Sequence, residues 1–267
     1  MAKQKMKRVL VMGDTHCGHV TGLTPASWLD RPPKNAGERR QEQYRYRRWA
    51  FDWYLKKVRE FAPVHLLICM GDMIDGRQPK NGSRNLISVD VDDQCGMAAE
   101  LIRCVKAERV VMVYGTPYHT GTLKNEEDNI AREVKAEDID DFLNFSVNGL
   151  EFNCLHKCNR SSVPYGAHTP IARAWMWNAL LAGERPEFVR ANVLLRGHTH
   201  LYRLAGGPGW KAITCPTLQG RTEYGSKSVE GYFDFGMLGF DVYAEGRYHY
   251  YEMLTEIQHS GIKHHIF

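Results

Sequence analysis

The sequence lacks a strong charge imbalance, a secretory segment and a long apolar run. Basic residues exceed acidic ones by only four, 35 against 31, an excess too small to indicate a nucleic-acid or membrane partner by itself. There is no apolar segment of secretory length behind the charged first residues and no later run of about 18 apolar residues. We therefore expect a cytoplasmic protein with no membrane partner.

Repeats, low-complexity tracts and linkers are also missing from the sequence. With 267 residues, 43% of them hydrophobic, the chain can fill one sizeable core, so we predict a single domain over residues 1–267. The seven cysteines have neither the CxxC pairs of a zinc ribbon nor the spacing of a disulfide framework. They indicate a reducing compartment, and they lie at positions 17, 69, 95, 104, 154, 158 and 215.

Short β-branched runs alternate with helical patterns along the first 200 residues. Such alternation predicts an α/β sheet with helices on its faces, with strands at 8–12, 64–70, 110–114 and 192–195. Helices are predicted over 94–107 and over 169–182, the second with Thr169 as its N-cap. Asn148-Gly149 predicts a tight hairpin, and short alternating runs after residue 200 predict a second sheet of meander type.

The segment 17–61 is long for a connection between a strand and a helix, and residues 39–59 within it are rich in arginine and aromatic residues. One interpretation is a nucleic-acid surface, with Arg45 and Arg48 near phosphates and rings stacked on bases. The other is an amphipathic helix whose core face includes Phe51, Tyr54 and Val58. Residue spacing leaves both interpretations open.

Aspartate and histidine follow several of the predicted strands. Asp14 and His16 come after Gly13, and His198 and His200 come after Gly197; side chains two apart on extended backbone point the same way. Other strand ends supply Asp72 with Asp75, His119 and His156. Since ligands bind at the carboxyl ends of strands in open α/β sheets, we expect these side chains to converge.

Carboxylate and imidazole ligands without thiolates suit Mn²⁺, Fe or Zn²⁺. Six or seven such ligands are too many for one tetrahedral ion and fit two ions that share a carboxylate. The sequence therefore predicts a cofactor of two divalent metal ions, with manganese expected first.

The motifs "GDTH", "GDMIDG", "GTPYH", His156 and "GHTH", in that order, resemble the calcineurin-like metallophosphoesterases, whose pattern is GDxH, GDxxD, GNH(D/E), H and GHxH. The resemblance spans residues 9 to about 200, and it has a phage-type, uncapped character with some likeness to the double-strand-break repair nucleases. It implies an α/β fold, a four-layer αββα sandwich of two mixed β-sheets flanked by helices. It also implies metal ligands at Asp14, His16, Asp72, His156, His198 and His200, with Asp72 bridging the two ions and Asp75 bracing the loop.

The third motif departs from the family pattern. Thr116 occupies the position where the family has a metal-binding Asn, and His119 comes three residues later instead of directly after it. A hydroxyl is a poorer ligand than a carboxamide, so the second ion is expected to bind more weakly, with Thr116 as a possible ligand. His119 could be the catalytic acid or a substitute ligand, and spacing does not decide between them.

Three acidic residues follow this motif, at 126, 127 and 128. They could complete the metal site, but we favour a charged first turn of a helix over 125–135, which the helix dipole would stabilise. His19 and Tyr118 are further candidates for substrate contact.

The resemblance implies a hydrolase that cleaves a phosphoester with a metal-bridging hydroxide. Asp72 and His119 are its expected catalytic residues, and we expect a phosphodiesterase with DNA or RNA slightly favoured as substrate. The alternatives are an enzyme for small phosphoesters and a catalytically impaired fold that serves as an interaction module. The sequence does not indicate an oligomeric state.

Overall fold

The computed structural model describes residues 5–121, 125–161, 163–222 and 232–257. Two β-sheets pack face to face, and helices cover the outer face of each. The predicted four-layer αββα sandwich of two mixed sheets is thereby confirmed. Among the described residues, no helix is both long enough and apolar enough to cross a membrane.

The first sheet has six strands in the order β11-β10-β1-β2-β3-β4. Four of them run parallel, namely β1 (Lys7–Met12), β2 (Leu66–Cys69), β3 (Arg109–Val113) and β4 (Asp138–Asp140). The antiparallel pair β10 (Phe235–Val242) and β11 (Tyr248–Thr255) extends the sheet beyond β1. The outer face of this sheet is covered by α1 (Glu38–Phe61), α2 (Val91–Val105) and α4 (Glu127–Val134). The short helix α3 (Pro117–Thr120) precedes α4 in the chain.

The second sheet has five strands in the order β5-β6-β7-β9-β8. The predicted hairpin at Asn148-Gly149 joins the first two strands, and both turn residues have positive φ. The strands are β5 (Phe142–Val147), β6 (Leu150–Leu155), β7 (Val193–Arg196), β8 (Arg203–Gly207) and β9 (Trp210–Thr214). Helix α5 (Thr169–Glu184) packs on the outer face, where Trp175 stacks on Trp210 at 3.9 Å between ring centroids.

The core between the sheets follows from the two-residue period of the strands. In β1, Val9 and Val11 face the second sheet, whereas Leu10 and Met12 face the helices. The strand is therefore apolar on both sides, as expected for a strand covered on both faces.

Two predictions require correction. The strands after residue 200 do not form one meander, because β8 and β9 join the second sheet while β10 and β11 join the first. All eight residues of β10 are buried, because the strand is paired on both edges, by β1 and β11, and packed on both faces. The N-cap of α5 is His168 instead of Thr169.

The basic, aromatic segment forms α1, and its rings serve the core. Tyr54 is fully buried and its hydroxyl donates to the carbonyl of Leu101 at 2.7 Å, while Trp49 and Trp53 pack against Phe235. The buried positions recur at three- and four-residue spacing, the pattern of an amphipathic helix. Rings held this way are not open platforms for bases.

Candidate metal centre

Six of the predicted ligands form two groups at the carboxyl ends of the strands. The first cluster contains Asp14, His16 and His200, and the second cluster contains Asp72, His156 and His198. Within each cluster the candidate ligand atoms lie within 4.8 Å of one another. The central parallel strands of both sheets therefore end at one place, as the sequence pattern predicts.

The backbone at these positions is in a conformation that side chains rarely adopt. Left-handed φ angles between 45° and 71° occur at five of the six residues, namely Asp14, His16, Asp72, His198 and His200. Such residues cost roughly 1–3 kcal/mol each and collect at functional sites. The strain is held by links between the loops, since Asp14 N–H donates to Gly71 and His16 N–H donates to the carbonyl of Asp72.

The glycines next to the ligands keep the site narrow. A Cβ atom at Gly197 would lie 2.9 Å from Nδ1 of His156 and 3.1 Å from Oδ2 of Asp14. Any side chain there would push the two clusters apart, because real Cβ atoms avoid contacts this short. The Gly that precedes the last pair of histidines is thus required by close packing.

The first cluster has the geometry of a cation site. Nε2 of His200 lies 3.1 Å from Oδ1 of Asp14 and 3.2 Å from Nε2 of His16. Donors that surround one ion at about 2.1 Å lie about 3.0–3.5 Å apart. Oδ1 of Asp14 is buried and has no hydrogen-bond partner among the described residues, so a cation would satisfy an atom that the protein leaves open.

A hydrogen bond on the side away from the first cluster fixes the orientation of the His16 ring. Its Nδ1 donates to Oδ1 of Asp75 at 3.0 Å, which fixes the tautomer and leaves Nε2 facing the cluster. A carboxylate behind a histidine is the usual support of a metal ligand. Burial and the nearby His119 lower the pKa of His16, which favours the neutral form that binds metal.

In the second cluster, a carbonyl takes the role of that carboxylate. Nδ1 of His156 donates to the carbonyl of Met70 at 2.6 Å, and Nε2 faces Oδ2 of Asp72 at 3.1 Å. Burial alone would lower the pKa of His156, but the carboxylate of Asp72 raises it to about 10. A neutral Nε2 and a carboxylate oxygen would otherwise place two lone pairs together, so the pair requires a proton or a metal ion between them.

Both aspartates are ionised despite their burial. Burial opposes the charge of Asp72, but His156 outweighs it and holds the pKa far below its usual value. Asp14 shows the same balance, with His200 as the main opposing charge, and its pKa is also lowered. The residues present therefore fit two divalent ions, because the carboxylates are ionised, the pKa of His16 is lowered toward the neutral form, and a metal ion would replace the proton that Asp72 holds on His156.

The clusters adjoin each other. The backbone N–H of His198, in the second cluster, donates to Oδ2 of Asp14 at 3.2 Å, in the first. Asp72 groups with the second cluster, and its proposed bridging role stays a prediction.

The third motif lies across both clusters. The hydroxyl of Thr116 is 3.1 and 3.2 Å from the two carboxylate oxygens of Asp72, beside the second cluster. The ring of His119 lies 4.6 Å from that of His16, and its Nδ1 donates to the carbonyl of Asp75 at 2.8 Å. The two residues are therefore placed for different roles, Thr116 near the second cluster and His119 near the first.

The candidate substrate residues differ in exposure. His19 is buried, and its Nδ1 accepts from the backbone N–H of Thr21, which places it inside its loop. Tyr118 is 40% exposed beside His119, at the open side of the site. Arg45 and Arg48 lie exposed on α1.

Glu127 is a residue whose position the sequence does not reveal. It occupies the first turn of α4, as predicted for a charged helix start, but it is fully buried. Its Oε1 accepts from the N–H of Met73 at 2.8 Å and its Oε2 accepts from the N–H of Gly115 at 2.7 Å. Burial raises the pKa of Glu127 to about 7. An acidic residue in a first helical turn is common, so its spacing gives no signal of this role.

A cavity of about 800 Å³ lies elsewhere, between the start of α1 and the loop before α2. Its walls contain three arginines and three carboxylates and none of the cluster residues. The balanced charge indicates no preference for an anion or a cation.

No family model matches the chain, and no curated protein matches it. Solved structures with a similar fold include vacuolar protein sorting 29 from Cryptosporidium parvum, at 11% identity and a TM-score of 0.47 over 94% of this chain and 99% of that chain. A novel archaeal phosphodiesterase is 14% identical with a TM-score of 0.46, over 93% and 99% of the two chains. A predicted phosphoesterase from Streptococcus pneumoniae is 11% identical with a TM-score of 0.37, over 90% and 84%. At these identities and TM-scores, the similarities do not bear on what this chain binds or does.

Proposed function

We propose that this protein is a metal-dependent phosphoester hydrolase of the calcineurin-like type, acting on phosphodiesters with two divalent ions, Mn²⁺ first among them. The observation that carries the proposal is the pair of adjoining clusters, in which supported imidazoles and ionised carboxylates converge. The motif order along the sequence supports the same assignment.

The first cluster would hold one ion and the second cluster the other, with Thr116 beside the second. When bound, two such ions supply positive charge for the phosphoryl oxygens and lower the pKa of a water, so that hydroxide is available to attack phosphorus at neutral pH. The protein contributes fixed ligand orientation, through Asp75 behind His16 and the Met70 carbonyl behind His156.

His119 is our candidate for the residue that protonates the leaving oxygen. Its Nδ1 donates to a carbonyl, which only accepts, so Nε2 is the nitrogen that gains or loses a proton. A protonated His119 would donate from Nε2 to the departing group. Its place beside the first cluster supports this role over that of a substitute ligand in the second.

The open side of the site favours a substrate with a flat organic group. Tyr118 is the exposed aromatic residue next to His119 and could stack on the base or aryl group of a diester. The support for a nucleic-acid substrate comes from the exposed arginines of α1, including Arg45 and Arg48, because the aromatic rings of that helix lie in the core. Binding that weakens steeply with salt would support the polynucleotide, because each phosphate contact releases counterions.

A second candidate function is a protein-interaction module. Met176, Trp177 and Leu180 on α5 are between 48% and 65% exposed, an unusual density of apolar surface for one helix. Metal binding by the clusters without turnover would support this second function.

The testing experiment is hydrolysis of bis(p-nitrophenyl) phosphate by chelated protein with and without added Mn²⁺, beside the monoester p-nitrophenyl phosphate. Mn²⁺-dependent cleavage of the diester in preference to the monoester is expected. Absence of turnover with Mn²⁺, Fe²⁺ and Zn²⁺ would overturn the proposal.

A further inference from the structure

One loop carries Asp72 of the second cluster and another carries Thr116 of the third motif, and a single side chain accepts hydrogen bonds from both loops. Met73 directly follows Asp72, and Gly115 directly precedes Thr116. The N–H groups of Met73 and Gly115 both donate to the carboxylate of Glu127, one to each oxygen.

The two loops also contact each other on the side that carries Asp72 and Thr116. The N–H of Thr116 donates to Oδ1 of Asp72 at 2.6 Å, and a Cβ atom at Gly115 would collide with the same residue. The two backbones are therefore in direct contact, with Asp72 and Thr116 on one side and Glu127 on the other.

Glu127 is itself rigidly held. It begins α4, whose Ile130 is fully buried in the helical side of the core. The preceding residue, Glu126, donates its N–H to the carbonyl of Thr120 at 2.7 Å. A fully buried side chain on an anchored helix can fix the position of whatever it binds.

We propose that Glu127 is a positioning residue that clamps these two loops and sets the geometry of the second cluster before metal binds. This inference rests on the proposed function. A carboxyl group suits the task because two N–H donors need two acceptors, and each of its two oxygens accepts from one of them.

The first test is Glu127→Gln, which keeps the shape but offers one acceptor oxygen and one NH₂ group. One of the two N–H groups then faces a donor, so the loops should shift. We expect Mn²⁺ affinity at the weaker site to fall by roughly 10–100-fold, measured by isothermal titration calorimetry. The kcat for the diester at limiting Mn²⁺ should fall with it, while KM for the diester stays unchanged. Circular dichroism should show that the variant is folded, because a smaller folded fraction would lower kcat in the same way.

The matched control is Asp128→Asn, the same change from acid to amide one residue further along. Asp128 accepts from the hydroxyl of Tyr114 at 2.5 Å and so anchors the same helical turn to the residue before Gly115, but it binds neither of the two clamped N–H groups. Its Mn²⁺ affinity should stay within about twofold of wild type; an equal loss in both variants would overturn the proposal, because the effect would belong to anchoring of α4. Wild-type Mn²⁺ affinity in folded Glu127→Gln would overturn it as well.

If Glu127→Gln does not fold, Glu127→Asp replaces it, because it keeps the charge but is too short to reach both loops. A further measurement needs no variant: hydrogen exchange of wild-type protein in chelator. The Met73 and Gly115 amides should exchange roughly 10³-fold or more slowly than in a short peptide, whereas rapid exchange at either would overturn the clamp. If wild-type protein shows no Mn²⁺-dependent turnover, the proposed function fails, and the exchange rates still decide whether the clamp exists.

Discussion

Charged side chains are paired differently at the two ends of the parallel strands. At the amino end, Arg8 binds Asp241 through two nitrogens at 2.8 and 3.4 Å, and Tyr251 donates to the same carboxylate at 2.7 Å. Two carbonyls, of Phe61 and Ala62, accept from the same guanidinium. The charges there are satisfied by the protein itself.

At the carboxyl end, buried imidazoles and carboxylates face one another on strained backbone, and Oδ1 of Asp14 has no hydrogen-bond partner among the described residues. Such an arrangement costs stability unless something else completes it. One end therefore holds the strands together with its own charges, whereas the other end places carboxylates and imidazoles as they would lie around a cation. Changes at the two ends should therefore have separable effects.

The largest effect is expected for His198→Ala. The side chain is exposed, so its removal should leave folding intact, while the second cluster loses a ligand. The kcat/KM for bis(p-nitrophenyl) phosphate should fall roughly 10³-fold, with the far-ultraviolet circular dichroism spectrum unchanged. Turnover close to wild type at the same Mn²⁺ concentration would remove His198 from the site.

The second largest effect is the stabilisation of the folded protein by bound metal. Mn²⁺ at 100 times its Kd should stabilise chelated wild-type protein by about 2.7 kcal/mol for each site filled, seen as a higher Tm in calorimetry. The gain should be smaller in His198→Ala and undiminished in Asp241→Asn. An equal gain in all three proteins would mean that the metal binds elsewhere.

Asp241→Asn should produce the opposite result from His198→Ala. It breaks an ion pair and a tyrosine hydrogen bond at the amino end, so we expect the free energy of unfolding to fall by about 2 kcal/mol in urea denaturation. Mn²⁺ affinity and kcat should not change. Loss of activity in the folded variant would show that the two ends are coupled.

The contribution of Asp241 should depend on pH in a defined direction. Burial alone would raise its pKa, but the hydrogen bonds from Arg8 and Tyr251 outweigh burial and lower it below 3.8. A carboxyl with a lowered pKa in the folded state stabilises the protein above the pKa of the unfolded chain, and loses that effect as pH falls through the folded-state value. The difference in stability between wild type and Asp241→Asn should thus be full at pH 7 and shrink below about pH 4; a difference that persists unchanged at pH 2.5 would contradict this.

The smallest effect is expected within the carboxyl end. Thr116→Asn places beside Asp72 the residue that the calcineurin-like pattern has at this position, and a carboxamide oxygen is a better ligand than a hydroxyl. Mn²⁺ affinity at the weaker site should rise by about tenfold or less, equivalent to at most about 1.4 kcal/mol. Titration calorimetry that shows weaker binding would mean that Thr116 serves Asp72 instead of the metal.

Much of this organisation is readable from the sequence, for physical reasons. The Gly-Asp-x-His and Gly-His-x-His endings place ligand-type side chains directly after strands, and parallel strands end at one edge of a sheet. The expectation that side chains two apart point the same way was wrong for the second pair, because the backbone there is left-handed instead of extended and His198 and His200 lie in different clusters. The structure brings these ligands into two clusters. The sheet membership of β10 was wrongly predicted because alternation along a strand does not name its neighbours.

The role of Glu127 lies beyond what the sequence shows. Its carboxylate binds backbone groups 54 and 12 residues away, and backbone N–H groups carry no sequence signature. The aromatic residues of α1 illustrate the same limit, since a base-stacking surface and a core face share one composition. Only the packing of Tyr54, Trp49 and Trp53 in the folded protein decided between them.

By itself, then, the sequence determined the α/β class and the chemical type of the candidate ligands, because periodicity and residue chemistry are local properties. The tertiary structure alone decided which strands adjoin, which ligands share a cluster and which buried carboxylate holds the loops. Those are properties of groups far apart in the chain, and their positions are fixed only when the core packs.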